Sequence, residues 1–326
     1  MDAPFRFFWE WILVAAWDQG KPRRAERAFK PRDDCETKTA QVLCSGGGSA
    51  GQGNAFGMGL TLSDFLAVLE SIAPAQWAES WDNPGLQVGS PSQPIQKIFA
   101  SLDPTPEALM AASKARAQLL FTHHPLIFKP LTRLQADSYP GNVINEAVRR
   151  GIAVVAAHTN LDSAPGGIND ILAGLLGLTD VEILQPIAGT EGVGLGRIGN
   201  LSQAVDLGTA ARSVRRITGN PDIRAVGKEN ALVRRLAVVG GSGGGLLSMA
   251  CEKGADLLVT GDVGHHVALA ARALGIALID AGHFHSEKKA FHIFAKNLET
   301  RLRSCGSDIE VETDEGEANP LWQLGG

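Results

Sequence analysis

Seven of the eight histidines fall in four short stretches: His123 and His124 in THHP, His158 in HTNLD, His265 and His266 in GDVGHH, and His283 and His285 in GHFHSE. Only His292 lies outside them. Imidazoles gathered in this way suit divalent transition-metal ions, and carboxylates beside them supply the charge that neutralises such an ion. Two of the stretches carry one four residues after a histidine, Asp162 after His158 and Glu287 after His283. A glutamate has two oxygens and can bridge two cations, which a histidine cannot.

Each stretch has a plainer reading. Adjacent residues on a strand point to opposite faces, so His123 and His124 could be one buried and one exposed histidine; at a strand end that alternation need not persist, and both can serve neighbouring ions. His158 is a ligand or a partner that orients one, and the second role is favoured. Asp162 caps a turn or contributes ligand charge, and Ser286-Glu287 could simply start a helix. Asp262, His265 and His266 stand at another strand end, where the two histidines are candidate catalytic acid/base groups or helix-entry packing. The loop GGSGGG (240–245) lies where backbone amides cradle anions, but it lacks the Gly-Lys-Ser/Thr of a P-loop, and a tight turn explains it as well.

The histidine stretches follow apolar runs, QLLFT, IAVVAA, DLLVT and IALIDAG, which read as buried strands. From Thr61 the chain alternates. Ser63 is expected to cap a helix through Ile72, and AESWDNPGLQVG is rich in turn signals. Strands at 97–102, 118–122 and 152–157 then alternate with helices at 106–116, 142–150 and 168–176. After a glycine-rich break around 181–199 that reads as antiparallel strands or a domain crossing, a second series follows: helix 207–218, strand 236–239, helix 246–253, strand 256–260, helix 267–274, strand 276–279 and a long helix from about His285 to Arg303. The expected class is α/β, with largely parallel, doubly covered sheets. The expected division is a first half over 60–186, a second over 187–315, and a fraying acidic tail over 316–326.

The chain has 326 residues, 44% hydrophobic and 20% charged, enough for two domains with their own cores. A net charge of -5 gives no electrostatic reason to expect nucleic acid. No apolar stretch reaches the roughly 20 residues of a membrane span. Cys35, Cys44, Cys251 and Cys305 form no CxxC pair, which argues against a thiolate site or disulfide framework and for a cytoplasmic location. Residues 1–59, with Trp9, Trp11, Trp17 and SGGGSAGQG, read as a disordered tail without a signal peptide, and translation is expected to begin at Met58.

In this order and separation, ESWDNPGLQVG, THHPLIFKPL, HTNLD, GGSG, TGD and AGHFHSE resemble the NIF-three-like dinuclear metal-centre family, often labelled GTP cyclohydrolase 1 type 2 homologues. The resemblance runs from about Leu60 to the C-terminus. It implies a fold of two interlocked α/β domains and a toroidal homohexamer with sites facing an inner cavity. It further implies two divalent cations, one held by His123, His283 and Glu287 and the other by His124, Asp162 and the shared Glu287. Ligands of this kind suit zinc, manganese, iron or cobalt. The implied activity is metal-dependent hydrolysis of a nucleotide or related small molecule, since paired ions supply Lewis acidity and an activated water. The alternative is a non-catalytic metal-binding or regulatory protein. His285 stands where members more often carry a small residue, which bears on the pocket beside the ions.

Overall fold

The structure is a computed structural model and describes residues 60–321; the expectations for the tail, Cys35, Cys44 and Met58 lie outside the described residues. Helix α1 (Leu62–Ile72) opens the fold, and its cap is Thr61 rather than Ser63. Thr61 accepts from the Asp64 amide at 3.2 Å while Asp64 accepts from the Thr61 amide at 2.9 Å, the reciprocal pairing of a capping box.

Strands β1 (Gly85–Val88) and β2 (Lys97–Ser101), helix α2 (Pro106–Lys114), strand β3 (Leu119–Thr122), helix α3 (Gly141–Arg150) and strand β4 (Ala153–Ala156) follow. β2, β3 and β4 are parallel, and β1 pairs antiparallel with β4. The QLLFT run is apolar throughout because both faces of β3 are covered. Leu119 and Phe121 join one core, while Leu120 packs with Leu109, Val143 and Val154 in another.

Short α4 (Thr159–Ser163) and α5 (Ile168–Leu175) lead into the second sheet. The glycine-rich break is an antiparallel pair, β5 (Thr179–Pro186) and β6 (Gly194–Asp206). Then come α6 (Leu207–Thr218), β7 (Arg224–Val226), β8 (Leu232–Val238), α7 (Leu247–Glu252), β9 (Leu257–Thr260), α8 (His265–Leu274), β10 (Ala277–Asp280) and the long α9 (His283–Ser304). The strand order is β5-β6-β8-β9-β10-β7, parallel only across β8, β9 and β10.

The last strand, β11 (Glu310–Thr313), returns to the first sheet and pairs parallel with β2. Neither end of the expected second half therefore matches a sheet: β5 precedes residue 187 yet belongs to the second sheet, and β11 precedes residue 315 yet belongs to the first. α9 lies between the sheets and buries Phe291, Phe294 and Leu298 in a single apolar cluster containing Phe121 of one sheet and Leu257 and Ile279 of the other. The fold is thus α/β with two interlocked halves. The segment after β11 does not fray at once: the buried Glu317 carboxylate accepts from the Leu102 amide at 2.6 Å and the Ser101 hydroxyl at 2.8 Å. No helix among the described residues is long and apolar enough to cross a membrane.

Candidate metal centre

The parallel strands end together, and the residues immediately after them converge at the carboxyl edge. His123 and His124 follow β3, and His158 follows β4. Asp162 is on α4, while His283 and Glu287 stand one turn apart at the start of α9. Gly282, at φ +77°, turns the chain from β10 into that helix.

Nε2 of His123 lies 3.6 Å from Asp162 Oδ1 and 3.7 Å from Glu287 Oε1. Glu287 Oε2 lies 3.1 Å from Nε2 of both His124 and His283. The donors thus fall into a His123–Asp162–Glu287 group and a His124–His283–Glu287 group, each able to hold a metal ion. This reverses the expected sharing, in which His283 accompanied His123 and Asp162 accompanied His124. Opposed side-chain directions explain the exchange: His123 points inward against Phe291 and α4, while His124 turns outward to meet His283.

Each imidazole is oriented by its other nitrogen. Nδ1 of His123 donates to the Ala157 carbonyl at 2.8 Å, that of His124 to Asp103 at 2.7 Å, and that of His283 to Asp262 at 2.6 Å. Carbonyls and carboxylates only accept, so Nδ1 carries the proton and Nε2 is the atom presented inward. His158 is held likewise by Asp82 at 2.8 Å, and its ring lies 5.2 Å from that of His123. It forms a further donor group with His123 and His124, so both of its expected roles, ligand and orienting partner, remain compatible with its place.

The buried atoms His123 Nε2 and Asp162 Oδ1 have no hydrogen-bond partner. Orphaned polar atoms are costly, and two that face each other at 3.6 Å fit a cation between them. Nε2 of His124 and Nε2 of His283 face each other at 3.2 Å, an arrangement that needs a proton or a metal between two lone pairs. Burial works against the charged form of His124, but hydrogen bonds to Asp103 and Glu287 outweigh it and raise the pKa to about 10. His283 is raised in the same way to about 9, through Glu287 and Asp262. Burial lowers the pKa of His123 and, with the Glu287 charge, raises that of Asp162. Burial opposes ionisation of Glu287 too, yet the imidazoles of His123, His124 and His283 hold it well below the usual range. Two buried carboxylates beside a neutral imidazole match the needs of divalent charge.

His265 and His266 do not reach this centre. Helix α8 begins at His265, and its first turn carries both side chains into solvent, where they pack against each other at 5.6 Å. Of that stretch Asp262 is the residue that enters, through His283. The GGSGGG amides are engaged by side chains: Gly240 by Asn169 at 2.9 Å, Gly241 by Ser286 at 3.0 Å and Gly243 by Thr260 at 2.7 Å. The loop is therefore a packed wall rather than an anion cradle. A Cβ on Gly241, at φ +63°, would stand 2.2 Å from Glu287 Oε1.

A cavity of about 690 Å³ opens beside His124 and His283, with Asn220, Arg224, Asp280 and His285 on its walls. Asp280 pairs with Arg224, and His285 Nδ1 is buried without a partner. Asp82 and Asp103 had no assigned role in the sequence; the only signal for Asp82 was its place inside the ESWDNPGLQVG motif.

Two interlocked α/β sheets with a histidine–carboxylate cluster at their shared edge define a protein with a candidate metal centre. The chain belongs to the Duf34/NIF3 (NGG1p interacting factor 3) family, whose model matches residues 60–320. It is 32% identical over 268 residues to the GTP cyclohydrolase 1 type 2 homolog of Lactococcus lactis, covering 81% of this chain and 100% of that protein. It is 34% identical over 237 residues to the GTP cyclohydrolase 1 type 2 of Helicobacter pylori J99, covering 73% of this chain and 91% of that one. Among solved structures it resembles a Bacillus cereus protein related to NIF3, with a TM-score of 0.77 and 26% identity over 81% of this chain and 99% of that one.

Proposed function

We propose that the chain is a dinuclear metal-dependent hydrolase acting on the heterocyclic ring of a nucleotide, with GTP cyclohydrolase-like chemistry. The observation that carries this reading is Glu287, whose Oε1 faces His123 while Oε2 faces both His124 and His283. A carboxylate so placed can serve two cations, and no cysteine enters either donor group. Zinc, manganese, iron and cobalt all suit this set. The names of the relatives from Lactococcus lactis and Helicobacter pylori support the substrate class.

Paired divalent cations supply Lewis acidity and an activated water. The protein's part is to hold the Nε2 atoms inward through Asp103, Asp262 and the Ala157 carbonyl, and to keep Asp162 and Glu287 in a dry wall. The cavity beside His124 and His283 gives a substrate access. The same reading includes assembly as a homohexamer, which the family resemblance supports. A second reading, a metal-binding interaction protein, draws support from the family description as an interacting factor.

The test is turnover of GTP by the metal-loaded protein beside Glu287→Ala, followed by product mass. Ring-opened product from the wild type alone is the expected result. If the loaded wild type leaves GTP untouched, the cyclohydrolase reading fails.

A further inference from the structure

Among the exposed large apolar residues, Trp81 and Phe128 stand out because they are held together beside the donor cluster. Trp81 is 55% exposed and Phe128 46%, and their ring centroids are 5.7 Å apart at an angle of 50°. The Trp81 ring also meets His158 edge-on at 5.9 Å, and His158 in turn lies 5.2 Å from His123 and 5.4 Å from His124. The aromatic pair is thus one imidazole away from the candidate ligands.

The supports under these rings are specific. Asp82, next to Trp81, accepts from His158 at 2.8 Å and from the Thr159 amide at 3.0 Å, which ties the tryptophan turn to the end of β4. Asn83 donates to the Ile127 carbonyl at 2.7 Å, and Gln87 accepts from the Ile127 amide at 3.0 Å, which ties the same turn to the residue preceding Phe128. Two loops more than forty positions apart are therefore cross-linked so that both rings remain in water. An exposed tryptophan carried on a turn that hydrogen bonds hold in place has less backbone entropy to lose when something stacks on it.

We propose that Trp81 and Phe128 form a stacking platform for the planar heteroaromatic ring of the substrate, a purine base, with its edge directed toward His158 and the donor cluster. The proposal rests on the nucleotide-hydrolase reading above and says where in the site the base lies. Stacking fits this surface because an aromatic face accepts any flat π system, whereas His158, with Nδ1 committed to Asp82, offers Nε2 to the ring's polar edge.

The test uses guanosine, which carries the ring and no phosphate, titrated calorimetrically into the metal-loaded full chain. Trp81→Leu should weaken binding on the order of 10-fold, Trp81→Phe should restore most of it, and Phe128→Leu should weaken it by a smaller factor. Light scattering on each variant reports assembly size, and elemental analysis reports metal content; both are expected to match the wild type. The proposal is overturned if the wild type does not bind guanosine or if Trp81→Leu binds it equally well. It is also overturned if Trp81→Leu changes assembly size, because the patch would then be a contact between copies. Tryptophan-dependent guanosine binding without ring opening of GTP would leave the platform standing and refute the hydrolase reading instead.

Discussion

Removing the Glu287 carboxylate should empty both donor groups, whereas removing that of Asp162 should empty one. In Glu287→Ala the remaining donors are His123 with Asp162 on one side and His124 with His283 on the other, two each. Loss of a supporting partner alone typically weakens a metal by about 10–100-fold, so loss of a direct, charged donor should cost roughly 100-fold or more at each position. That is about 2.7 kcal/mol apiece at ordinary temperature. In Asp162→Ala the same arithmetic applies only to the His123 group, because Asp162 Oδ1 lies 3.6 Å from His123 Nε2 and takes no part in the His124–His283–Glu287 group. Metal per chain after exhaustive dialysis, with circular dichroism as a check on folding, distinguishes the cases. The wild type should retain two ions, Asp162→Ala one and Glu287→Ala neither. A folded Glu287→Ala that keeps one tightly bound ion would show that the two oxygens do not serve separate cations.

The metal-free chain should lose thermal stability as pH rises. His124 and His283 have raised pKa values in the fold, so their contribution is complete below the ordinary imidazole range near 6.5 and is lost through about 9 for His283 and about 10 for His124. A divalent cation competes with those protons, so its apparent affinity should increase over the same window, and calorimetry in buffers of different ionisation enthalpy should detect proton release; no release would contradict the assignment. Asp103→Asn removes the charge that orients His124 and should weaken metal binding about 10–100-fold, and an unchanged titration would dismiss that role. Gly241→Ala would press a methyl onto Glu287 in a backbone conformation that costs about 1–2 kcal/mol for a side chain, so reduced metal content is expected, and normal content would refute the wall. Phe291→Ala should cost about 3–5 kcal/mol and lower the melting temperature of both halves in one transition. Two separated transitions in calorimetry would contradict a shared core.

What could be read in the sequence was the part encoded by neighbours along the chain. The strand-end histidines stood out because QLLFT and DLLVT are apolar on both faces, as strands of a doubly covered sheet must be, and because His283 and Glu287 are one helical turn apart. The α/β class followed from the same alternation. Long-range relations were not legible. Asp103 lies 21 positions before His124 and Asp82 lies 76 before His158, and nothing local marks either as a hydrogen-bond partner. The exchange of Asp162 and His283 between donor groups depends on which way two adjacent imidazoles turn, a matter of packing against Phe291 and α4. His265 and His266 misled because a helix starting at His265 displays its first turn to water, while Asp262, three positions earlier, reaches His283.

The return of β11 to the first sheet explains how donors from opposite halves stay in register. Glu287 and His283 ride on α9, at the end of the second sheet, but their partners His123, His124 and Asp162 hang from the first. If α9 were the end of the chain, the two sets would be joined only by packing. Instead the helix is continued by β11 on β2, and Glu317 beyond it grips the amide of Leu102 and the hydroxyl of Ser101, immediately before Asp103. Asp103 then orients His124. The helix that supplies the shared carboxylate and the strand end that supplies its histidine support are thus fastened together by the segment that follows β11. His292, one turn and a half beyond Glu287 on the same helix, adds a contact to Glu317 at 2.8 Å, which closes that brace on α9 itself.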